Sequence, residues 1–536
     1  MTETLQTLVF LLTVVAVVVF AAARLNFAPP VLLVAAGVVL ALLPGVPPLQ
    51  LEPEIVLLFV LPPVIYVSAI AMSWREFQFN LRPILLLAIG CVVFTTISVA
   101  AAMHFLLGWP WAAGFVLGAV VSPPDAVAPL AIARRMQLPR RILVILEGEG
   151  LANDATALVL YRFAVAAVSV GAFSLAQASE TFVAIVVGEL CWGVGVGWMM
   201  LRLRRFMDDP RIEMVLSLVT PFLAYWPPEH LGGSGVIATV ATGLYISWNG
   251  PRLISAETRI QGVFFWEFVT YLIEGLVFIF TGLQAQALAA TLRNGVLTQF
   301  WASAALVVAV VIVARFVWIY PMTYLPRWLS ASLAKRDPSP PWTYPFVIAF
   351  TGVRGIVSLA AALAIPMTTA SGAAFPYREQ IFFLAFVVVM ATFVFQGAML
   401  PWVIRKLGLA RLGREERRAD RAEEFYARQN AIEASSARLD ALAQERDIPR
   451  EALLSLRSQL DYFATRIRMK CDADEDRRAL IELHDDLDLT LIEVERDFVN
   501  GLLRSGELKD EARRRIEREL DLREADVLNR RNERMG

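Results

Sequence analysis

Residues 122–154 read SPPDAVAPLAIARRMQLPRRILVILEGEGLAND, and both ends of this stretch lie inside long apolar segments. Two adjacent prolines precede Asp125, and a run of carboxylates ends at Asp154. Prolines remove backbone hydrogen bonds and carboxylates lose their water in such segments, so sequences retain them in a membrane mainly where they have a function. We therefore predict a membrane-embedded functional site in this stretch.

Composition divides the chain into an apolar part and a charged part. The 536 residues are 57% hydrophobic and only 18% charged, which is less charge than a soluble protein of this size normally carries. The first 410 residues hold 23 basic and 19 acidic side chains, whereas the remaining 126 residues hold 26 and 31. We therefore predict a transmembrane domain at 1–406 and a water-soluble helical domain at 407–536.

A helix that crosses a membrane needs about 20 apolar residues, and thirteen segments meet or approach this length. They lie near residues 5–23, 28–44, 54–72, 82–107, 110–133, 141–168, 177–201, 212–228, 232–248, 262–290, 296–325, 342–367 and 379–404. The connections on one side carry 16 Lys and Arg residues, whereas those on the other side carry only Arg293 and Arg378. Because basic loops face the cytoplasm, we predict a multi-pass plasma-membrane protein with its N-terminus outside and its C-terminal domain in the cytoplasm.

Thirteen helices also fit an inverted repeat, in which two six-helix halves flank one connecting helix, as is common in secondary transporters. The fifth helix of each half contains a break signal: Pro-Pro-Asp at 123–125 in the first half and Thr-Gly-Val-Arg-Gly at 351–355 in the second. The predicted fold class is therefore an all-α polytopic membrane protein of about 13 transmembrane helices, with broken crossing helices and a helical cytoplasmic tail.

Three ionisable residues lie near the middle of their predicted spans, namely Asp125, Asp154 and Arg354. Their common depth predicts a single site close to the membrane midplane. Pro123 and Pro124 lack N–H groups, so carbonyl groups one turn before them lose their helical partners, and such oxygens suit a partly dehydrated Na⁺. We assign both prolines to the cation site. The alternative is that they only kink the helix.

Helical geometry separates the acidic residues that follow. At about 100° per residue, Glu149 lies about 140° around the helix from Asp154, so the two cannot serve one ligand. Asp154 would face the cation, whereas Glu149 needs a buried positive partner, for which Arg354 is the best candidate. Asn153 lies on the Glu149 side. Glu147 faces nearly the same way as Asp154, and it either attracts cations into an inner funnel or is a solvated residue near the helix end.

Three motifs together resemble the monovalent cation/proton antiporters of the bacterial NhaP and animal NHE type. They are Gly-Glu-Gly-Leu-Ala-Asn-Asp at 148–154, the Pro-Pro-Asp break at 123–125, and Gly-Val-Arg-Gly at 352–355. The resemblance extends over most of residues 1–405, including Leu-Pro-Pro at 61–63. It implies an inverted-repeat fold with a core domain and a dimer-forming domain, and hence a homodimer in the membrane.

The resemblance also implies the roles of individual residues. Asp154 is the expected shared carrier of the cation and the proton, with Asp125 and Asn153 supporting it. Glu149 is expected to pair with Arg354. The acidic, helical tail resembles that of bacterial members, and its charge argues against nucleic acid or anionic lipid as its main partner.

The sequence departs from the family pattern at four positions near the expected site. Val67 replaces an acid, Gly150 replaces a hydroxyl residue, and Pro124 and Ala126 stand where the family often has Thr and Pro around the core Asp. The expected ligand set is therefore poorer in side-chain oxygens. This leaves the choice among Na⁺, K⁺ and Li⁺ open.

These features predict a secondary antiporter, not an enzyme, that exchanges Na⁺ for H⁺ in pH homeostasis and uses no cofactor. One carboxylate that binds either a proton or a cation predicts electroneutral 1:1 exchange. The alternatives are a K⁺ or Li⁺/H⁺ antiporter, a cation channel and, least of all, an intramembrane enzyme, since the sequence has no His-Glu-x-x-His motif. Other charged residues of the apolar part have no assigned role at this stage: Glu147, Arg162, Glu189, Glu267, Glu274 and Arg315.

Overall fold

The computed structural model describes most of the chain. The described residues are 2–25, 29–43, 53–170, 175–207, 209–250, 253–286, 301–446, 448–471, 475–505 and 507–535. Within them the chain is helical apart from turns and one isolated β-bridge between Thr368 and Ala374. Seven of the described helices are long and apolar enough to cross a membrane, and shorter apolar helices accompany them. Each of the thirteen predicted segments overlaps helix, while the number that cross the membrane stays a prediction.

The helices of the apolar part are named here in chain order. They are α1 (Thr2–Leu25), α2 (Pro29–Leu42), α3 (Pro53–Ala71), α4 (Leu81–Leu107), α5a (Trp111–Val121), α5b (Val127–Arg135), α6 (Arg140–Val170), α7 (Leu175–Arg204), α8 (Pro210–His230), α9 (Val236–Asn249), α10 (Ala256–Leu283), α11 (Trp301–Leu329), α12a (Thr343–Phe350), α12b (Ile356–Leu363) and α13 (Arg378–Lys406). Three of them contain a π-helical turn, at Val56–Val60, Leu86–Cys91 and Phe393–Gly397. Such turns are frequent at functional sites.

Both predicted helix breaks are present. Helix α5a ends before the two prolines, which cannot donate the backbone hydrogen bonds that would continue it. Helix α12a ends before Thr351, and α12b starts only after Gly355. The two breaks touch, because the backbone N–H of Asp125 donates to the carbonyl oxygen of Val353 at 2.7 Å. Two interrupted helices thus meet at one point in the fold.

Buried side chains define two helix bundles. The first bundle consists of α4, α5, α6, α11, α12 and α13, and its fully buried core includes Val99, Leu117, Val311, Leu359 and Phe383. The second bundle consists of α1 to α3 and α7 to α10, with a buried cluster that includes Tyr66, Leu201, Ile246 and Trp266. Both helix breaks belong to the first bundle, and the second bundle contains neither of them.

Helix α10 is tightly joined to α2 within the second bundle. A Cβ atom added at Gly282 would collide with the backbone of Val34, and one added at Gly37 would collide with the carbonyl oxygen of Ile279. Glycine therefore permits a backbone-to-backbone approach that no other residue allows here. The two helices form one structural unit.

Two large mixed apolar clusters join the bundles, beside a small one of Val56, Ile356 and Ala360. In one, α3 and α9 pack against Leu151, Ala155 and Leu158 of α6. In the other, α2 and α10 pack against Ala128 of α5b and Phe393 of α13. The helix breaks and the acidic part of α6 consequently lie at the border of the two bundles.

Contacts divide the chain into Met1–Arg414 and Glu415–Gly536. The division falls eight residues after the predicted boundary at 406/407. The reason is local: Leu409 is fully buried, and Gly413 lies directly against the backbone of Gln137. The second unit contains the rest of a helix at Leu409–Glu445 and further helices at Arg450–Cys471, Glu475–Ser505 and Asp510–Met535.

Candidate functional site

A cavity of about 250 Å³ lies at the border of the two bundles. Four acidic residues line it: Asp125 at the first break, Glu147 and Asp154 on α6, and Glu274 on α10. Its wall also includes Ser68, Ser358, Arg134, Gly150, Pro123 and Pro124. Both bundles therefore contribute carboxylates to one cavity, and the predicted residues Asp125 and Asp154 are brought together there.

Asp154 is one of two acidic residues of the cavity wall, with Glu274, whose carboxylates no described protein group engages. It is partly exposed to the cavity, and among the described residues it has neither a hydrogen bond nor an ion pair. A carboxylate in this position keeps its oxygens available for an ion or a proton from the cavity. Gly150, one turn earlier on the same face of α6, adds no side chain that would fill the space.

Asp125 is held in place by the backbone. Its Oδ1 accepts a hydrogen bond from the N–H of Val127 at 2.9 Å, at the start of α5b, where a negative charge is stabilised by the helix dipole. A Cβ atom added at Gly355 would collide with the Asp125 carboxylate, so only glycine fits there. The charges of Asp125 and Asp154 are close enough to interact. The carboxyl group of Asp125 is thus held in a fixed position in the same cavity as Asp154.

The carbonyl groups at the break are already bound by protein groups. The hydroxyl of Ser122 donates to the carbonyl oxygen of Ala119 at 3.2 Å. The guanidinium of Arg354 donates to the carbonyl oxygens of Val121 at 2.9 Å and Ser122 at 3.3 Å, and also to that of Gly352. Protein groups therefore engage the carbonyl oxygens of Ala119, Val121 and Ser122 at the end of α5a, and a role of the freed carbonyl groups in cation binding stays a prediction.

Asn153 braces the break from α6. Its side chain is fully buried, and its Nδ2 donates to the carbonyl oxygen of Pro124 at 2.6 Å. It does not belong to the cavity wall described above, because it is rotated about 100° from Asp154 on the helix. Pro123 and Pro124 do line the cavity, although Asn153 already occupies the Pro124 carbonyl. Asn153 thus lies outside the cavity wall, and its support of Asp154 in cation binding stays a prediction.

Glu149 pairs with Arg315 of α11, and the predicted partner Arg354 is wrong. Two parallel bonds join the groups, from Nη1 to Oε1 at 2.5 Å and from Nη2 to Oε2 at 2.7 Å. The two side chains are only 3% and 2% exposed. Arg315 also donates to the carbonyl oxygen of Ile348 at 3.0 Å. Arg354 cannot serve Glu149 in the same way, because its guanidinium is directed at the carbonyl groups of the breaks.

The structure also gives roles to charged residues that the sequence left unassigned. Glu147 pairs with Arg134 at 2.7 Å, and both residues line the cavity. Glu189 accepts hydrogen bonds from the backbone N–H groups of Ser234 and Ile237 and so caps the start of α9. Further placements are Arg162 in an ion pair with Glu229, Glu267 exposed on α10, and Glu274 in the cavity wall.

No cluster of three or more His, Cys, Asp or Glu residues suited to a resident metal ion occurs among the residues that the structure describes. The sequence signal for Asp154 was its depth in an apolar span, and this signal led to the cavity. Depth alone did not reveal Glu274 or Arg315, since it says nothing about which helices are neighbours.

Known proteins resemble this chain over most of its length. The sequence profile of the family described as "Sodium/hydrogen exchanger, transmembrane" matches residues 9–406. An uncharacterized Na(+)/H(+) exchanger of Mycobacterium tuberculosis is 35% identical over 513 residues, which cover 94% of this chain and 93% of the relative. The sodium, potassium, lithium and rubidium/H(+) antiporter of Bacillus subtilis is 34% identical over 407 residues, covering 73% of this chain and 60% of the relative.

The fold has a counterpart among solved structures. The sodium proton antiporter MjNhaP1 from Methanocaldococcus jannaschii superimposes with a TM-score of 0.61 at 17% identity, covering 76% of this chain and 99% of that chain. The resemblance inferred from the three sequence motifs is thereby confirmed. From the match at residues 9–406 and the identity over nearly the whole chain, the protein belongs to the sodium/hydrogen exchanger family of membrane transporters.

Proposed function

We propose that this protein is a secondary antiporter that exchanges Na⁺ for H⁺ through the carboxyl group of Asp154. The observation that carries the proposal is the position of Asp154 in a cavity between two bundles, where no described protein group pairs with it and Asp125 lines the same wall. A carboxylate with free oxygens binds either a proton or a hard monovalent cation. Movement of one bundle against the other would then expose Asp154 to each side of the membrane in turn.

The fixed partners of Glu149 and Asp125 support 1:1 exchange. Glu149 is neutralised by Arg315, and Asp125 is stabilised at the start of α5b. Asn153 carries no charge. One proton therefore replaces one cation at Asp154, and the exchange moves no net charge and needs no cofactor. A measurable dependence of the transport rate on an imposed membrane potential would exclude this stoichiometry.

The choice of cation is the second part of the proposal. Na⁺ is the first candidate, because the family profile and the mycobacterial relative are named for sodium/hydrogen exchange. K⁺ and Li⁺ are the alternatives, since the Bacillus subtilis relative is named for sodium, potassium, lithium and rubidium. The cavity wall offers few side-chain oxygens besides its carboxylates, a composition that suits weak discrimination between these ions.

We place the protein in the plasma membrane as a homodimer of inverted-repeat subunits, with about 13 spans, the N-terminus outside and the tail in the cytoplasm. The basic loop that carries Arg134 supports this orientation, because basic loops face the cytoplasm. Arg134 and Glu147 line the cavity, and the side chain of Arg134 is 61% exposed, which supports an opening of the cavity toward the cytoplasmic side in this conformation.

The test is cation-dependent collapse of a pH gradient in proteoliposomes. The wild-type protein should collapse the gradient on addition of Na⁺, and Asp154→Asn should abolish this response while the protein still purifies as a folded species. Glu267→Gln is the matched control, because Glu267 is an exposed acid on α10 that does not line the cavity. Exchange that persists in Asp154→Asn would refute the assignment. Parallel runs with Na⁺, K⁺ and Li⁺ give the ion preference.

A further inference from the structure

Glu274 faces the same cavity as Asp154 from the opposite bundle. It lies in the middle of α10, it is partly exposed, and it lines the cavity together with Asp125 and Asp154. Among the described residues no hydrogen bond or ion pair engages its carboxylate. Glu147 and Glu149, in contrast, are each held in an ion pair, with Arg134 and Arg315 respectively.

The other acidic residues of the cavity wall differ from Glu274 in having protein partners, with the exception of Asp154. Glu147 is neutralised by Arg134 at 2.7 Å, so it adds little net charge to the entry route. Asp125 is fixed at the start of α5b. Glu274 thus adds a carboxylate from the side of the cavity that the second bundle forms. Like charges lining a cleft with low-dielectric walls raise the local concentration of counter-ions.

Helix α10 fixes Glu274 to the second bundle. The backbone-to-backbone approach at Gly37 and Gly282 joins α10 to α2, and Gly275, the residue after Glu274, lies against Val15 of α1. Asp154 and Asp125 belong to the first bundle. Any displacement of the bundles relative to each other must therefore change the separation between Glu274 and Asp154.

We infer that Glu274 is a cation-attracting residue that raises the affinity of the site on the cytoplasmic face only. In the arrangement seen here Glu274 shares the cavity with Asp154, so an entering cation meets both charges. When the first bundle moves to expose Asp154 to the other side, Glu274 stays with α10 and leaves the site. This inference rests on the proposed antiport function and deepens it by giving the two faces different cation affinities.

The test compares the two faces of the membrane. Everted vesicles present the cytoplasmic face to the added Na⁺, whereas right-side-out vesicles present the outer face. In Glu274→Gln we expect the KM for Na⁺ to rise about three- to tenfold in everted vesicles, from the loss of one charge near the site. The KM in right-side-out vesicles and the maximal rate on either face should stay within twofold of the wild type.

Two further variants separate this role from a structural one. Glu274→Asp keeps the charge and should keep the wild-type KM on both faces. Glu267→Gln removes a carboxylate from the same helix seven residues earlier, at an exposed position outside the cavity wall, and should leave both KM values unchanged. If Glu274→Gln fails to assemble, the wild type is measured in rising choline chloride, which screens charge and should raise the cytoplasmic KM more than the outer one.

The outcomes decide the inference separately from the antiport proposal. Equal KM changes on the two faces, an unchanged cytoplasmic KM, or an equal choline effect on both faces would overturn the role of Glu274. Loss of the maximal rate in Glu274→Gln with an unchanged KM would also overturn it, because that result would make Glu274 a carrier of the proton. Failure of the proposed function has a different signature, which is wild-type vesicles without exchange or exchange that survives in Asp154→Asn.

Discussion

Replacing Glu149 by glutamine leaves the guanidinium of Arg315 charged, buried and without its carboxylate. The pair is 2% to 3% exposed and joined by two bonds at 2.5 and 2.7 Å. Breaking a buried pair by removal of one partner typically costs about 3–5 kcal/mol, because a buried charge is left uncompensated. We expect Glu149→Gln to lose stability in this range.

The double variant Glu149→Gln/Arg315→Met should be more stable than either single variant. Replacing both partners by uncharged groups removes the desolvation problem. One cost remains, since the carbonyl oxygen of Ile348 loses the Arg315 donors but keeps the hydroxyl of Thr351 at 3.0 Å, and a lost hydrogen bond costs about 0.5–1.5 kcal/mol. The double variant should therefore recover about 2–4 kcal/mol relative to Glu149→Gln.

The assay is unfolding of the purified protein in detergent, followed by thermal melting and by denaturant titration for the wild type, both single variants and the double variant. Glu424→Gln is the control, because Glu424 pairs with Arg428 on an exposed helix face where both side chains are at least half exposed. Such pairs contribute about 0.3–0.5 kcal/mol. The reasoning is refuted if the losses of the two single variants simply add in the double variant, or if Glu149→Gln melts like the control.

Two further predictions follow from the site and its surroundings. Gly355→Ala should lower the exchange rate at least about tenfold, because the added methyl group displaces the Asp125 carboxylate; Gly188→Ala, where a Cβ atom meets nothing within 4 Å, should exchange normally. Glu189→Gln should reduce the free energy of unfolding by about 1.5–3 kcal/mol, since hydrogen bonds from the start of α9 lose their charged acceptor. Wild-type stability in that variant would contradict the capping role.

The parts of the fold that depend on local chemistry were predictable from the sequence. Proline and glycine act on the backbone of their own helix, so the breaks of the fifth and twelfth segments appeared where the residues placed them. The depth of Asp154 in its span likewise identified a cavity-facing acid. The end of the membrane unit was less predictable, because the first turn after residue 406 is held by tertiary contacts of Leu409 and Gly413.

The sequence could not decide which buried groups of different helices pair with each other. Arg315 and Arg354 both lie near the middle of their predicted spans, and only the packing of α11 against α6 selects Arg315 for Glu149. The loss of helical hydrogen bonds at the prolines was foreseeable, but the donor to the last carbonyl groups of α5a, the guanidinium of Arg354, comes from the break between α12a and α12b. Glu274 stayed hidden for the same reason, since the rotation of α10 about its own axis is set by its neighbours.

The guanidinium of Arg354, which lies between the two helix breaks, has a consequence for the transport cycle and for the evolution of ion preference. Arginine keeps its charge at every physiological pH, so the carbonyl groups of Val121, Ser122 and Gly352 are satisfied whether or not an ion is aboard. An emptied carrier therefore keeps the same scaffold as a loaded one. Substitutions in the cavity wall can then change the ion preference while the two helix breaks keep their structure.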